Sequence, residues 1–264
     1  MSSLKLLVLD VETAPHRVFS WGLWNQTIGP DQVEEPGYCL CVAAKWAGRP
    51  GLMYRVIRRR AQDKPDIRAL RWIRDLITEA DGVIHYNGTK FDMPTLQREM
   101  LEAGLKPPAP PQEVDLLTTV RKKFRFASNS LAFVAKRLRL GKKHPHKGMS
   151  LWIRCMVGDP KAWKAMERYN RQDVVLTERL YDKVLPWIPK HPNAGLVGYG
   201  GRPKHDDPNR PTCPRCAGVT LNRIGKIRTK TAEYQRYQCY RCGFWSRDRK
   251  SCLAKDAAKR VLSS

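Results

Sequence analysis

Two spacings of apolar residues alternate along the first 190 positions. Short apolar runs bounded by polar or turn-forming residues predict strands over Leu4–Asp10, Tyr38–Trp46 and Leu52–Ile57, the last nearer a sheet edge. The stretch DKPDIRALRWIRDLI then places Ile67, Leu70, Ile73 and Ile77 at helical spacing, with Asp63 as the expected cap. DGVIHYNG reads as a short strand leaving through an Asn87-Gly88 turn. FDMPTLQREMLEAGL reads as a helix with Asp92 at its start and Pro94 in its first turn, where proline is tolerated. EVDLLTTV predicts a last strand running into a helix, and SNSLAFVAKRLRL a capped amphipathic helix ending before Gly141. GKKHPHKG reads as a basic loop, and a further helix opens at Asp159-Pro160 and runs to about Val184. Residues 1–190 are therefore expected to form one α/β domain, a mixed sheet flanked by helices.

The pattern changes after that domain. Residues 191–211 hold four Pro and four Gly and read as a linker. A small cysteine-bearing unit is expected over 212–247, followed by a basic tail over 248–264. With 264 residues, 42% of them hydrophobic, the chain can bury one sizeable core and a small appendage. It has no apolar run long enough to span a membrane. A first strand beginning by Leu4 leaves no room for a signal peptide, so a cytoplasmic location is expected.

Charge narrows the class of partner. The formal net charge is +24, and self-repulsion on that scale calls for a polyanion. Nucleic acid fits better than an anionic membrane surface, since the chain shows no basic amphipathic helix. Residues 202–264 carry sixteen Lys/Arg against five Asp/Glu, a net +11, so both parts are basic.

Candidate chemistry starts with Asp10 and Glu12. They stand two apart at the end of an apolar run, so they share one face of the strand, and two buried carboxylates side by side need a partner. Asp92 follows a strand and a turn; taken alone it reads as a helix cap. Asp173 lies four residues after Tyr169 on the stripe Ala162, Met166, Tyr169, Asp173, Leu176 and Leu180, and so faces a core. Four acids together suit divalent ions of the Mg²⁺ type, which take oxygen ligands, and paired ions are a standard device of phosphoryl chemistry.

The ordered set LDVET, HYNGTKFD and YNRQD resembles the three motifs of the DnaQ-like 3′–5′ exonucleases of the ribonuclease H-like superfamily. Tyrosine four residues before the last acid is similar to the branch called DEDDy. The resemblance covers residues 4–190 and implies a ribonuclease H-like fold. It implies that Asp10, Glu12 and Asp173 hold one Mg²⁺ or Mn²⁺, with Asp10 also reaching a second ion that Asp92 serves through water. It implies that Tyr169 orients the attacking water and that the product is a nucleoside 5′-monophosphate. Thr13, Asn87 and Phe91 match positions that touch the terminal nucleotide in similar enzymes; as plain structure they would be a strand end, a turn former and a core aromatic. Asp115 matches an acidic position that braces the site. Lys142, Lys143, His144, His146 and Lys147 form a loop able to follow the phosphates of an incoming strand, or equally a solvated charge run.

CPRC and CYRC place Cys213, Cys216, Cys239 and Cys242 in two CxxC pairs separated by twenty-two residues. Each pair can bite one Zn²⁺ through two thiolates, and two bites close a tetrahedral, structural site that resembles a zinc ribbon. Gly218 and Gly243 are expected to allow the tight knuckle turns. YQRYQ alternates like a strand and FWS continues it. Basic residues mixed with Tyr234, Tyr237, Tyr240 and Trp245 suit a single-stranded nucleic acid. The other reading makes those aromatics a small core and the ribbon a contact for a replication or repair protein.

The expectation is a two-metal 3′–5′ exonuclease acting on DNA, with RNA as a second substrate, and a zinc ribbon aiding substrate binding. A bacterial or phage-infected cytoplasm suits the resemblance. One rival is a nuclease fold kept only for binding, against which the complete set of acids speaks. The other is a structure-specific endonuclease, which a missing terminal-nucleotide pocket would favour.

Overall fold

The computed structural model describes residues 3–57, 66–145, 148–200, 202–207 and 209–253. The chain divides into two compact units, Leu6–Tyr181 and a second made of Met1–Lys5 with Asp182–Ser264.

Strand β1 (Leu6–Thr13) organises the first unit because its two faces meet different surroundings. Leu7, Leu9 and Val11 enter a core with Val42 and Ala44 of β4 (Cys39–Trp46), Ile73 and Ile77 of α1 (Ile67–Glu79), and Leu96 and Met100 of α2 (Asp92–Glu102). Leu6, Val8, Asp10 and Glu12 alternate with them and point to the other face. There, Leu40 and Cys41 of β4 pack against Leu151 and Cys155 of α5 (Ser150–Met156) and Met166 and Tyr169 of α6 (Pro160–Val184).

The sheet has the order β5-β4-β1-β6-β7, with β5 spanning Leu52–Val56, β6 Gly82–His85 and β7 Gln112–Asp115. β4 runs antiparallel to β1 and to β5, while β6 runs parallel to β1 and to β7. The parallel half needs crossovers, which α1 and α2 supply. β1 therefore has a neighbour on each edge and a layer on each face, and this is what leaves its two carboxylates only partly exposed. The fold is the expected mixed sheet flanked by helices.

The caps show where local pattern was ambiguous. Asp63, the expected cap of α1, lies outside the described residues; Asp66 caps the helix, accepting from the amides of Arg68 and Ala69. Asp115 caps α3 (Leu116–Lys123), Ser130 caps α4 (Leu131–Arg137), and Asp159 accepts from the amides of Lys161 and Ala162 at the head of α6. Short elements escaped the pattern altogether: α5, and the ribbon of β2 (Arg17–Val18) with β3 (Val33–Glu35).

In the second unit β10 (Leu221–Arg228), β11 (Glu233–Cys239) and β12 (Trp245–Arg247) form an antiparallel sheet of that order. The stretch 191–211, expected as a linker on composition, is partly tied to this unit. Gly198–Tyr199 (β8) pairs with Arg202–Pro203 (β9), and the Ala194 amide donates to the Pro214 carbonyl at 2.9 Å. Upstream of it, the Arg215 guanidinium donates to the carbonyls of Ile188 and Pro189. Proline and glycine here serve turns that bring backbone groups to partners. No described helix is long and apolar enough to cross a membrane.

Candidate active site

The carboxylates of Asp10, Glu12 and Asp173 bring oxygens within 4.8 Å of one another. The strand period aims the first two at α6, and the helix period puts Asp173 one turn after Tyr169, facing them. Asp92 sits in the first turn of α2 and does not cap it: the cap residue is Phe91, without a side-chain bond. Its Oδ1 accepts instead from the Val11 amide at 2.8 Å, between the two acids of β1. Asp92 stands outside the three-oxygen group, yet its charge adds to the field at Asp10 and Glu12.

Burial and mutual repulsion dominate the electrostatics. Burial first, then the charges of Asp173, Glu12 and Asp92, hold the Asp10 carboxyl well above its usual range. Burial pushes Glu12 up to about 7, opposed by a hydrogen bond from Trp152. Burial pushes Asp92 up to about 6, against the pull of His85 and of the Val11 amide. Against these stands Lys143, whose Nζ lies 2.5 Å from Asp173 Oδ2 and 3.1 Å from the Tyr169 hydroxyl. Burial opposes its charge, but Asp173 outweighs it and keeps the ammonium above its ordinary range. One ammonium cannot neutralise four neighbouring acids, two of them buried and two half-buried. Hard oxygen donors, crowded and short of positive charge, fit a cation of the Mg²⁺ type.

A cavity of about 500 Å³ opens on this cluster, its lining including Asp10, Asp173, Lys143, Asn87, Tyr86 and Arg121. Of the residues expected near a terminal nucleotide, Asn87 lines it, while Thr13 and Phe91 do not. Thr13 pairs with Cys39 at the strand end, and Phe91 is 47% exposed rather than a core aromatic. Asp115 braces the turn by accepting from the Asn87 amide at 3.1 Å. Beneath it His85 accepts from the Gly88 amide so closely that a Cβ on Gly88 would stand 2.3 Å from the imidazole. In the basic loop Lys143 reaches the site, Lys142 and His144 do not line the cavity, and His146 and Lys147 lie outside the described residues.

Tyr86 and Arg121 on the cavity wall carry no separate signal in the sequence, and two residues that hold the acids likewise lie outside the sequence reading. Asn170, fully buried, donates to Asp10 Oδ2 at 2.7 Å and to the Asp10 carbonyl at 3.1 Å. Its position three residues before Asp173, on the same helix face, was the available signal. Trp152 donates from Nε1 to Glu12 Oε2 at 3.0 Å and meets Tyr169 edge-on, 5.7 Å between ring centres. It had no signal, because α5 had none. Trp152→Phe keeps the ring contact and removes the donor. It is expected to weaken Mn²⁺ binding about tenfold, as loss of an outer hydrogen bond to a ligand commonly does. Titration calorimetry on the full chain checks this; unchanged Mn²⁺ affinity would make the bond purely structural.

The four cysteines of the second unit also converge, within 4.8 Å. Sγ separations of 3.6 Å for Cys213–Cys242 and 3.7 Å for Cys216–Cys239 compare with the edge of about 3.8 Å expected for four thiolates around Zn²⁺. The neighbouring thiols of Cys213 and Cys216 pull the Cys242 thiol below its ordinary range. Gly243 turns left-handed as expected, but at the first knuckle Ala217 takes that conformation. Gly218 is needed for closeness instead: a Cβ there would stand 3.2 Å from Cys216 Sγ and 3.3 Å from Cys239 Sγ. On the sheet Arg236 stacks over Trp245 at 4.9 Å and Arg247 over Tyr234 at 3.8 Å.

No curated protein matches the chain. Among solved structures, the family B DNA polymerase from the hyperthermophilic archaeon Pyrobaculum calidifontis is similar over 70% of this chain and 25% of its own, at 20% identity and a TM-score of 0.53. The chain thus spans about a quarter of that polymerase's length, and the likeness is one of fold. The family model of the RNase H superfamily matches residues 42–185, more than half of the chain, taking in Asp92, Tyr169 and Asp173 and beginning inside β4. With the β5-β4-β1-β6-β7 sheet around that match, the chain belongs to the ribonuclease H superfamily.

Proposed function

We propose that the protein is a metal-dependent 3′–5′ exonuclease of the DnaQ-like, tyrosine-bearing type, removing nucleoside 5′-monophosphates from DNA, with RNA as a second substrate. The observation that carries this reading is the convergence of Asp10, Glu12 and Asp173 beside Tyr169, at the mouth of an open cavity in a superfamily fold. Asp10, Glu12, Asp173 and Asp92 would hold two Mg²⁺ or Mn²⁺. Such ions, when bound, neutralise the phosphoryl oxygens and make water more acidic.

The chain's own groups do the rest. Asn170 fixes the rotamer of Asp10, and Trp152 that of Glu12. Burial, then the charge of Asp173, pushes the Tyr169 hydroxyl up to about 12, so it keeps its proton at neutral pH and orients a water rather than acting as a base. Lys143 places positive charge where the phosphate becomes more negative. Asn87 and Tyr86, on the cavity wall, are placed to touch the terminal nucleotide. In the second unit Cys213, Cys216, Cys239 and Cys242 would hold one structural Zn²⁺, and the Arg–aromatic pairs of β11 and β12 would hold a further stretch of substrate by phosphate pairing and stacking.

A 5′-labelled oligonucleotide with Mg²⁺ or Mn²⁺ is expected to shorten one nucleotide at a time from its 3′ end, and EDTA should stop the reaction. DNA and RNA run side by side give the preference. Internal fragments without a 3′ ladder would replace this reading by an endonuclease.

A further inference from the structure

Between β1 and β4 the chain makes a long excursion, residues 14–38, whose tip is unlike the rest of the surface. Trp21 is fully exposed, Leu23 is 91% exposed, Trp24 84% and Phe19 67%. Four large apolar groups exposed within six residues are a cluster, and clusters of this kind mark interaction sites where single exposed groups do not. The tip is held in place. Phe19 and Gln32 exchange hydrogen bonds of 2.9 and 3.0 Å, Arg17 pairs with Glu34 and Glu35, and the Gln26 amide closes on the Trp24 carbonyl at 2.8 Å. At the base, the Ala14 amide donates to the Tyr38 carbonyl, and Arg98 of α2 grips the Gly37 carbonyl at 2.8 Å.

We propose that this tip is a base-stacking platform for the single-stranded nucleic acid whose 3′ end enters the site, engaging nucleotides upstream of the terminal one. The inference rests on the exonuclease reading above. Three observations favour nucleic acid as the occupant. The excursion continues the β1–β4 pair just past the catalytic carboxylates: Asp10 pairs with Ala43, Glu12 with Cys41, and the next pair, Thr13 with Cys39, is its root. Residues 19–29, FSWGLWNQTIG, contain no charge, so nothing in that stretch repels phosphates, and of the three acids that follow it Glu34 and Glu35 are turned to Arg17. Three of the four outstanding groups are aromatic, and Asn25 and Thr27 stand beside them with polar groups suited to base edges. Every base has a π face, so stacking of this kind is tolerant of sequence, as a nuclease that shortens strands stepwise requires.

The test compares the full-length wild type with the double variants Trp21→Leu/Trp24→Leu and Trp21→Phe/Trp24→Phe. On a single-stranded oligonucleotide the Leu pair is expected to raise KM about tenfold or more, as loss of base–aromatic stacking does, with kcat little changed, and the Phe pair to restore most of the loss. An oligonucleotide with abasic residues just upstream of its 3′ nucleotide should cost the wild type a similar factor and the Leu pair almost nothing further. The p-nitrophenyl ester of thymidine 5′-monophosphate, too short to reach the tip, separates the two readings. Turnover of that ester by all three proteins keeps the active site, and failure of every protein to turn it over would overturn the catalytic reading itself. Equal KM values for wild type and Leu pair on the oligonucleotide, or an abasic penalty that persists in the Leu pair, would overturn the platform. A wild-type dimer that becomes monomeric in the Leu pair, with KM unchanged, would instead assign the tip to a second copy of this chain.

Discussion

Asp10→Asn is expected to lower phosphodiester cleavage by about a thousandfold or more and, at the same time, to stabilise the metal-free chain at neutral pH. Both effects come from one fact. Asp10 is half-buried within reach of the charges of Asp173, Glu12 and Asp92, and Lys143 is a positive group that offsets them. An amide at position 10 can still accept from Asn170 through its oxygen, so the local hydrogen bond survives. It cannot offer the negative charge that a divalent ion requires. The sign of the pH dependence follows from the raised carboxyls. Glu12 titrates at about 7 and Asp92 at about 6 in the folded chain, above their ordinary values, and Asp10 is displaced the same way. Between about pH 4 and pH 7 the folded chain therefore binds more protons than the unfolded one, and stability falls as pH rises through that window. In EDTA the wild-type melting temperature should drop from pH 5 to pH 8, and the Asp10→Asn protein should drop less. Mg²⁺ should raise the wild-type value more at pH 8 than at pH 5, because its ligands must be deprotonated. Cleavage retained by Asp10→Asn removes the site assignment; equal pH slopes for the two proteins remove the repulsion argument and leave the assignment standing.

Cys213→Ser with Cys239→Ser is expected to lose one equivalent of tightly bound metal and the ordered structure of the second unit, while Leu6–Tyr181 keeps its cooperative transition. The two substitutions take one thiolate from each CxxC pair, and two remaining thiolates cannot close a tetrahedral site. Within the ribbon, Cys213, Cys216, Ala217 and Cys239 are the buried apolar residues, so sulfur is most of the core. Structural zinc in such units contributes on the order of 10 kcal/mol to folding, more than a small sheet supplies alone. Elemental analysis of the purified protein measures the metal. Limited proteolysis locates the damage, with new cuts expected beyond Asp182 and none in the first unit. A double variant that holds no metal and resists proteases like the wild type would show that the four thiols are packing residues.

Local pattern carried much of this architecture, and its limits have physical causes. Helices of three turns or more, such as α1 and α6, and strands with unbroken apolar runs, such as β1 and β4, repeat their periods often enough to be read. The order of the acidic motifs and the CxxC spacing were likewise written along the chain, since ligand types and spacings are local properties. Short elements without flanking caps or turn signals, α5 and the β2–β3 ribbon, have too few repeats to show a period, and α5 hid Trp152. A choice between neighbouring caps is also weakly coded, as Asp66 at the head of α1 illustrates. Everything that joins distant residues waited for the packed chain: the bond of Asn170 to Asp10 across 160 positions, of Asp92 to the Val11 amide across 81, and of Lys143 to Asp173 across 30. Residue types and their periods already state which groups the protein has to offer and which face of each long element they occupy. Packing of the whole chain brings three carboxylates into one small volume, turns Asp92 to β1 instead of its own helix end, and leaves Trp21 and Trp24 in water, because side-chain direction beyond a single element is set by what packs against it.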